Sequence, residues 1–146
     1  MLVKEITSLA TYSVRHPVLR DGKPIDSCYF EGDDLVTTKH FGIFEDTNLV
    51  GVISVFKNNH ALFDDTNSCQ IRGMAVLENF QKQGLGEKLM KHCEDYITSQ
   101  KNSLIWFNAR KKAVGFYEKL DYQIIGEAFE IEDVGTHYVM YKKLRN

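Results

Sequence analysis

The stretch from Gln70 to Ser99 limits what this chain can fold into more than any other. QIRGMAVL reads as a strand. It passes through ENFQKQG into a helical pattern with Leu85, Leu89, Cys93, Tyr96 and Ile97 on one stripe, at spacings of four, four, three and one. The helix is expected to end between Ser99 and Asn102. A strand, a glycine-bearing loop and an amphipathic helix in that order call for a helix laid on a sheet.

The rest of the chain extends the pattern. ITSLATYSVRHPVL has Ile6, Leu9, Val14 and Leu19 at roughly helical spacing, which predicts a first helix that ends or kinks near Pro17. RDGKPIDS is turn-rich. From Leu35, LVTTKHFGIF and LVGVISVF read as two strands joined by the turn EDTN, and KNNHALFDDTNS is a polar loop. SLIWFNAR is a further strand, KKAVGFYEKL a short helix, and DYQIIGEAFEI and THYVMYKKL two last strands around EDVG. The order αβββαβαββ predicts an α/β (α+β) fold, a central mixed sheet with helices on both faces.

Length and composition bound the function. A chain of 146 residues is enough for one domain, expected to span residues 1–146, and its 43% hydrophobic content is that of a globular protein. A formal net charge of −2 lacks the basic excess that marks nucleic-acid binding. Cys28, Cys69 and Cys93 are widely spread, with no CxxC pair and no zinc-ligand spacing, so free thiols and no metal site are expected. MLVKEITSLA lacks a signal-peptide core and no apolar run has membrane-spanning length, which leads to the expectation of a cytoplasmic protein without membrane contact.

The glycines at 84 and 86 stand where a helix begins. A helix N-terminus leaves its first N–H groups without partners and carries partial positive charge, and glycine lets a ligand approach the backbone. The arrangement is an anion site in outline. It is neither a P-loop, since GxxxxGK[ST] is absent, nor the dinucleotide fingerprint, since GLGEKL lacks a third glycine. Two glycines alone are better explained as shaping a turn.

The surroundings carry more. Gln81-x-x-Gly84-x-Gly86, after IRGMAV and before an amphipathic helix, resembles the Q/R-x-x-G-x-G/A loop of the GNAT acetyltransferase superfamily. Downstream, AVGFYEKLDY resembles that family's A-x-x-F-Y-x-x-x-G-F helix, and Asn108 lies at the end of the strand before it. The match is strongest from Gln70 to Tyr122. The early VRHPVLRDGKP and the tail FEIEDVGTHYVMYKKL resemble an uncharacterised bacterial branch of the superfamily.

The resemblance implies a GNAT-like fold in which two parallel central strands splay, with the pantetheine arm of acetyl-coenzyme A between them. Backbone groups of Met74, Ala75 and Val76 would hold the arm. Amides of Gln81, Lys82, Gln83, Gly84, Leu85, Gly86 and Glu87 would hold the pyrophosphate, and Asn108 and Phe116 would complete the cofactor site. The reaction implied is direct attack of a primary amine, of a small molecule or protein, on the thioester. Alone, Tyr117 reads as a core aromatic. Within FYEKL it matches the family's general acid. His137 matches a G-P-H segment near the substrate, although Thr136 replaces the proline; an imidazole can serve as base, and a strand histidine exposed to solvent is an equal reading. The alternative within the same fold is a non-catalytic coenzyme A-binding sensor or interaction module.

Other residues take plainer readings. His40 inside an apolar strand and Cys93 on the helix stripe are expected in the core, and Arg15 and Arg20 as ordinary surface charge. Asp121 stands where the family has glycine and is expected to take a left-handed conformation. Asp64, Asp65, Glu130, Glu132 and Asp133 could draw in a cationic amine, though acidic loops are usually just solvated. An exposed final strand permits a homodimer.

Overall fold

The computed structural model describes residues 1–144. Seven strands run β1 (Leu2–Ile6), β2 (Lys39–Glu45), β3 (Asn48–Lys57), β4 (Ser68–Val76), β5 (Leu104–Arg110), β6 (Gln123–Ile131) and β7 (Gly135–Lys143). Three helices, α1 (Tyr12–Leu19), α2 (Leu85–Ser99) and α3 (Val114–Glu118), join them. The hydrogen-bonded order is β1-β2-β3-β4-β5-β7-β6. The β4–β5 pair is parallel and the pairs β1–β2, β2–β3, β5–β7 and β6–β7 are antiparallel, so the sheet is mixed. Parallel pairing covers only Ser68–Gln70 against Leu104–Trp106.

The chain divides into two compact units, residues 1–56 with 71–96, and residues 57–70 with the chain from Ile97 onward. In the first unit, Val14, Val52 and Ala75 form a buried cluster against which Ile6, Val18, Leu19, Leu49 and Leu77 pack. The β2–β3 hairpin closes on Asp46 and Thr47, with Glu45 opposite Asn48 and Asp46 at φ 53°. A short polar residue tolerates that conformation, so EDTN turns as expected. In the second unit, Leu104, Trp106 and Val139 are the buried centre, covered by Phe63, Ile125, Phe129 and Tyr141. The indole N–H of Trp106 donates to the carbonyl of Asn58 at 2.9 Å, so the polar loop before β4 is anchored to β5.

Two expectations need correction at the N-terminus. The chain begins with a strand, β1, not with a helix from Ile6. β1 pairs with β2 from Leu2↔Phe44 to Ile6↔His40, and Leu2 is 62% exposed. An edge strand with so little burial leaves a weak hydrophobic pattern, and the hydrogen bonds that make it a strand come from β2. Pro17 lies inside the last turn of α1, which ends at Leu19, near Pro17 as expected. The expected strand from Leu35 also starts later, because Gly32 and Leu35 carbonyls close turns that carry the chain to Thr38.

The three cysteines are all buried. Among the described residues there is no group of His, Cys, Asp and Glu that could hold a metal, and no helix is long and apolar enough to cross a membrane.

Candidate active site

In the first unit, β4 runs through Gly73, which has φ +66°. A methyl group there would come within 2.7 Å of Phe30 Cε2. Both the backbone and the ring therefore demand glycine. Gly73→Ala is expected to cost about 1–3 kcal/mol, from left-handed strain plus overpacking. Urea denaturation reads this directly, and an alanine variant as stable as the parent would refute it.

After Gly73 β4 continues through Met74, Ala75 and Val76, with Ala75 4% exposed. The carbonyl of Val76 accepts from Gln81 Nε2 at 2.9 Å, so part of its bonding capacity is used within the chain. Gln81 thus ties the end of β4 to the loop. Lys82 (φ 63°) and Gly84 (φ +81°) then take left-handed conformations, and no atom lies within 4 Å of where a side chain at Gly84 would start. α2 opens with Lys88 N–H donating to Gly84 O at 3.2 Å. Backbone N–H groups of residues 82–87 donate to no described residue. These are the orphan donors of a helix start, extended by the loop before it. Leu85, Leu89, Met90 and Cys93 are buried, which orients the helix.

A second feature of this unit is a buried polar network. Arg15 is wholly buried, not the surface charge expected of it. Its Nη1 donates to Asp33 Oδ2 at 2.6 Å and to the carbonyl of Cys28 at 2.9 Å. Its Nη2 donates to Asp33 Oδ1 at 3.1 Å and to Ser54 Oγ at 2.9 Å. His40 is 4% exposed, with Nε2 donating to the carbonyl of Asp33 at 2.9 Å and Nδ1 at 2.6 Å from Ser54 Oγ. Since a carbonyl only accepts, Nε2 carries a hydrogen, and a neutral ring accepts the Ser54 hydroxyl proton at Nδ1. His40 is thus the satisfied core residue expected from its apolar strand.

The second unit holds the remaining candidates. Tyr117 on α3 is packed by Phe107 (ring centroids 4.4 Å apart), Phe116 (5.0 Å) and Tyr122 (6.3 Å). Its hydroxyl bonds no described residue, and burial pushes its pKa up to about 12. Asn108 is exposed on β5, opposite Val139 of β7, and Phe116 is 39% exposed. His137 on β7 is 5% exposed, and its Nδ1 donates to the carbonyl of Gly135 at 2.8 Å, which in the neutral ring leaves the lone pair on Nε2. Asp121 has φ 73°, the left-handed conformation expected where the family has glycine.

The acidic loop residues are partly committed. Asp65 binds Lys143 and the Ser103 hydroxyl, which together hold its carboxyl below the usual range. Glu130 accepts from Thr136 Oγ1 at 2.6 Å. The Arg15–Asp33 pair was missed because isolated letters 18 residues apart carry no periodicity. The only signal was an arginine and an aspartate beside buried apolar neighbours.

Residues 8–122 match the model of the acetyltransferase (GNAT) family. The chain is 36% identical over 143 residues to the uncharacterized N-acetyltransferase YitI of Bacillus subtilis (strain 168), covering 98% of this chain and 96% of that protein. Its fold is similar to an aminoglycoside 6'-N-acetyltransferase complexed with coenzyme A (TM-score 0.78, 14% identity, 98% and 97% of the two chains). It is also similar to a Bacillus subtilis acetyltransferase in complex with coenzyme A (TM-score 0.69, 15% identity, 98% of each chain). The left-handed turn into α2, the parallel strand pair and these matches lead to one assignment: the chain belongs to the GNAT acetyltransferase family and is an N-acetyltransferase.

Proposed function

We propose that the protein transfers an acetyl group from acetyl-coenzyme A to a primary amine by direct attack. One observation carries the donor assignment: the unbonded N–H groups of residues 82–87 at the start of α2, opened by Gly84 in space free of other atoms. Successive backbone donors with a helix dipole behind them suit a pyrophosphate. On this reading Gln81, Lys82, Gln83, Gly84, Leu85, Gly86 and Glu87 bind the diphosphate. The backbone groups of Met74, Ala75 and Val76, beyond the short stretch of β4 that pairs with β5, bind the pantetheine arm as an added strand would.

In the second unit, Asn108 and Phe116 are the further contacts to coenzyme A. Tyr117 is protonated throughout the neutral range and supplies a proton or hydrogen bond to the departing sulfur. The Nε2 lone pair of His137 takes the proton of the attacking amine, directly or through water. The test is calorimetric titration with acetyl-coenzyme A. A wild-type affinity in the micromolar range, about −8 kcal/mol, is expected. Gly84→Asp is expected to weaken it at least tenfold, about 1.4 kcal/mol, by placing a negative side chain and a strained φ in the anion site. A folded Gly84→Asp variant that binds as tightly as wild type would remove the diphosphate from this loop.

A further inference from the structure

The first unit concentrates three guanidinium groups around one aromatic ring. Arg15 lies 3.9 Å, Arg72 4.8 Å and Arg20 5.3 Å from the centroid of Phe30. Only Arg15 has a carboxylate bonded to it, that of Asp33. Arg20 spends its Nε and Nη1 on the carbonyls of Ser27 and Leu19, which neutralise no charge. No hydrogen bond or ion pair joins the Arg72 guanidinium to a described residue. It is half-buried between Phe30 and Phe56, whose centroid is 5.1 Å away. Burial and the two neighbouring arginines pull its pKa below the ordinary arginine value, with Asp33 and exposed Glu31 opposing.

A half-buried cation with no carboxylate bonded to it is costly, and native folds normally pair one. Stacking on rings accounts for part of the stabilisation, about 0.5–2 kcal/mol. It does so through the π-face and leaves the N–H edge uncommitted. That edge is a rigid fork matched to a carboxylate. The position on β4 matters as well. Arg72 precedes Met74 by two residues, roughly 6.6 Å of strand, and Gly73 between them turns the strand at Phe30.

We infer that Arg72, with Arg20 beside it across Phe30, binds a carboxylate on the acceptor, so that the substrate is an amino-carboxylate and not a simple amine or polyamine. The inference rests on the reading of Met74–Val76 as the donor's binding strand. Arg72 and Arg20 are then specificity-determining residues that anchor the acceptor by its anionic end and present its amine to the thioester. Of the two carboxylates that act on Arg72, Asp33 is bonded to Arg15 and Glu31 is exposed.

The experiment compares matched acceptors that differ only in the anion: β-alanine, γ-aminobutyrate and glycylglycine against their amides, with an aminoalkylphosphonate alongside. Thiol release from acetyl-coenzyme A gives kcat and KM, and calorimetry gives donor affinity for every variant. For wild type, kcat/KM is expected to be at least tenfold higher for the carboxylates. In Arg72→Gln that preference should collapse through KM, with acetyl-coenzyme A affinity unchanged. Arg72→Lys, which keeps charge and stem, guards against simple misfolding and should retain an intermediate preference. Amides used as well as carboxylates, a preference that survives Arg72→Gln in combination with Arg20→Gln, or a preferred phosphonate would each overturn the carboxylate assignment. So would a wild type that binds acetyl-coenzyme A and acetylates none of the carboxylates. Failure to bind acetyl-coenzyme A at all would instead sink the donor reading, and the inference with it.

Discussion

Asp33→Ala is expected to be among the most destabilising single substitutions in this protein, costing about 3–5 kcal/mol. The carboxylate accepts two hydrogen bonds from Arg15 and one from the Phe30 N–H at 2.9 Å, and all of this is buried. Its removal leaves the Arg15 guanidinium wholly inside the protein with only neutral acceptors. The Arg15 Nε already lacks any partner, so no spare hydrogen bonding is at hand to absorb the loss. Typical domains are stable by about 5–15 kcal/mol, so the variant would lose a large share of its margin. Urea denaturation should show a lower midpoint with an unchanged slope. The double variant Arg15→Met/Asp33→Ala separates charge from packing. Replacing both members of a buried pair by apolar groups is far milder than removing one, so the double should be more stable than Asp33→Ala alone. A single variant that costs under about 1 kcal/mol, or a double worse than the sum of the singles, would mean the pair is not what holds this region.

The same network marks the limit of what the sequence reveals. β3, β4, α2, β5, β6 and β7 are legible because each carries its own period or β-branched run, and the turns at Asp46 and Asp121 because short polar residues accept positive φ. β1 is not legible, since an edge strand draws its definition from β2. Of the candidate site, the Gln81–Glu87 loop could be found because the glycines, the strand before and the stripe after are contiguous. Arg15, Asp33, Ser54 and His40 come from four separate segments and meet only when β2 and β3 pair, with His40 opposite Ser54. Arg72 was visible inside the strand IRGMAV, yet its lack of an ion-pair partner is a property of the fold. Burial of His137 likewise depends on its strand neighbours, Phe129 on one side and Arg110 on the other.

Tyr117→Phe should lower kcat by about 100-fold or more, within the range that general acid–base groups contribute. The hydroxyl bonds no described residue, so its removal should leave folding stability within about 0.5 kcal/mol of wild type. KM for acetyl-coenzyme A should change little, because the ring packed on Phe107 and Phe116 is retained. A phenol at about 12 is a weaker acid than a thiol near 8.5, so full proton transfer to a solvated thiolate would be uphill. The burial that raises the phenol would also raise a sulfur leaving into the same surroundings, which narrows the gap. On the proposed function, Tyr117 would act mainly as a donor whose hydrogen bond strengthens as negative charge builds on sulfur, the behaviour that lowers a barrier without tightening the ground state. The pH profile follows from the sign of the shift. A raised pKa keeps the phenol protonated through the ordinary tyrosine range, so wild-type kcat should have no alkaline limb from this residue below roughly pH 10.5. A limb near pH 10 that vanishes in Tyr117→Phe would place the phenol in water, and a variant keeping more than half of wild-type kcat would remove it from the chemistry.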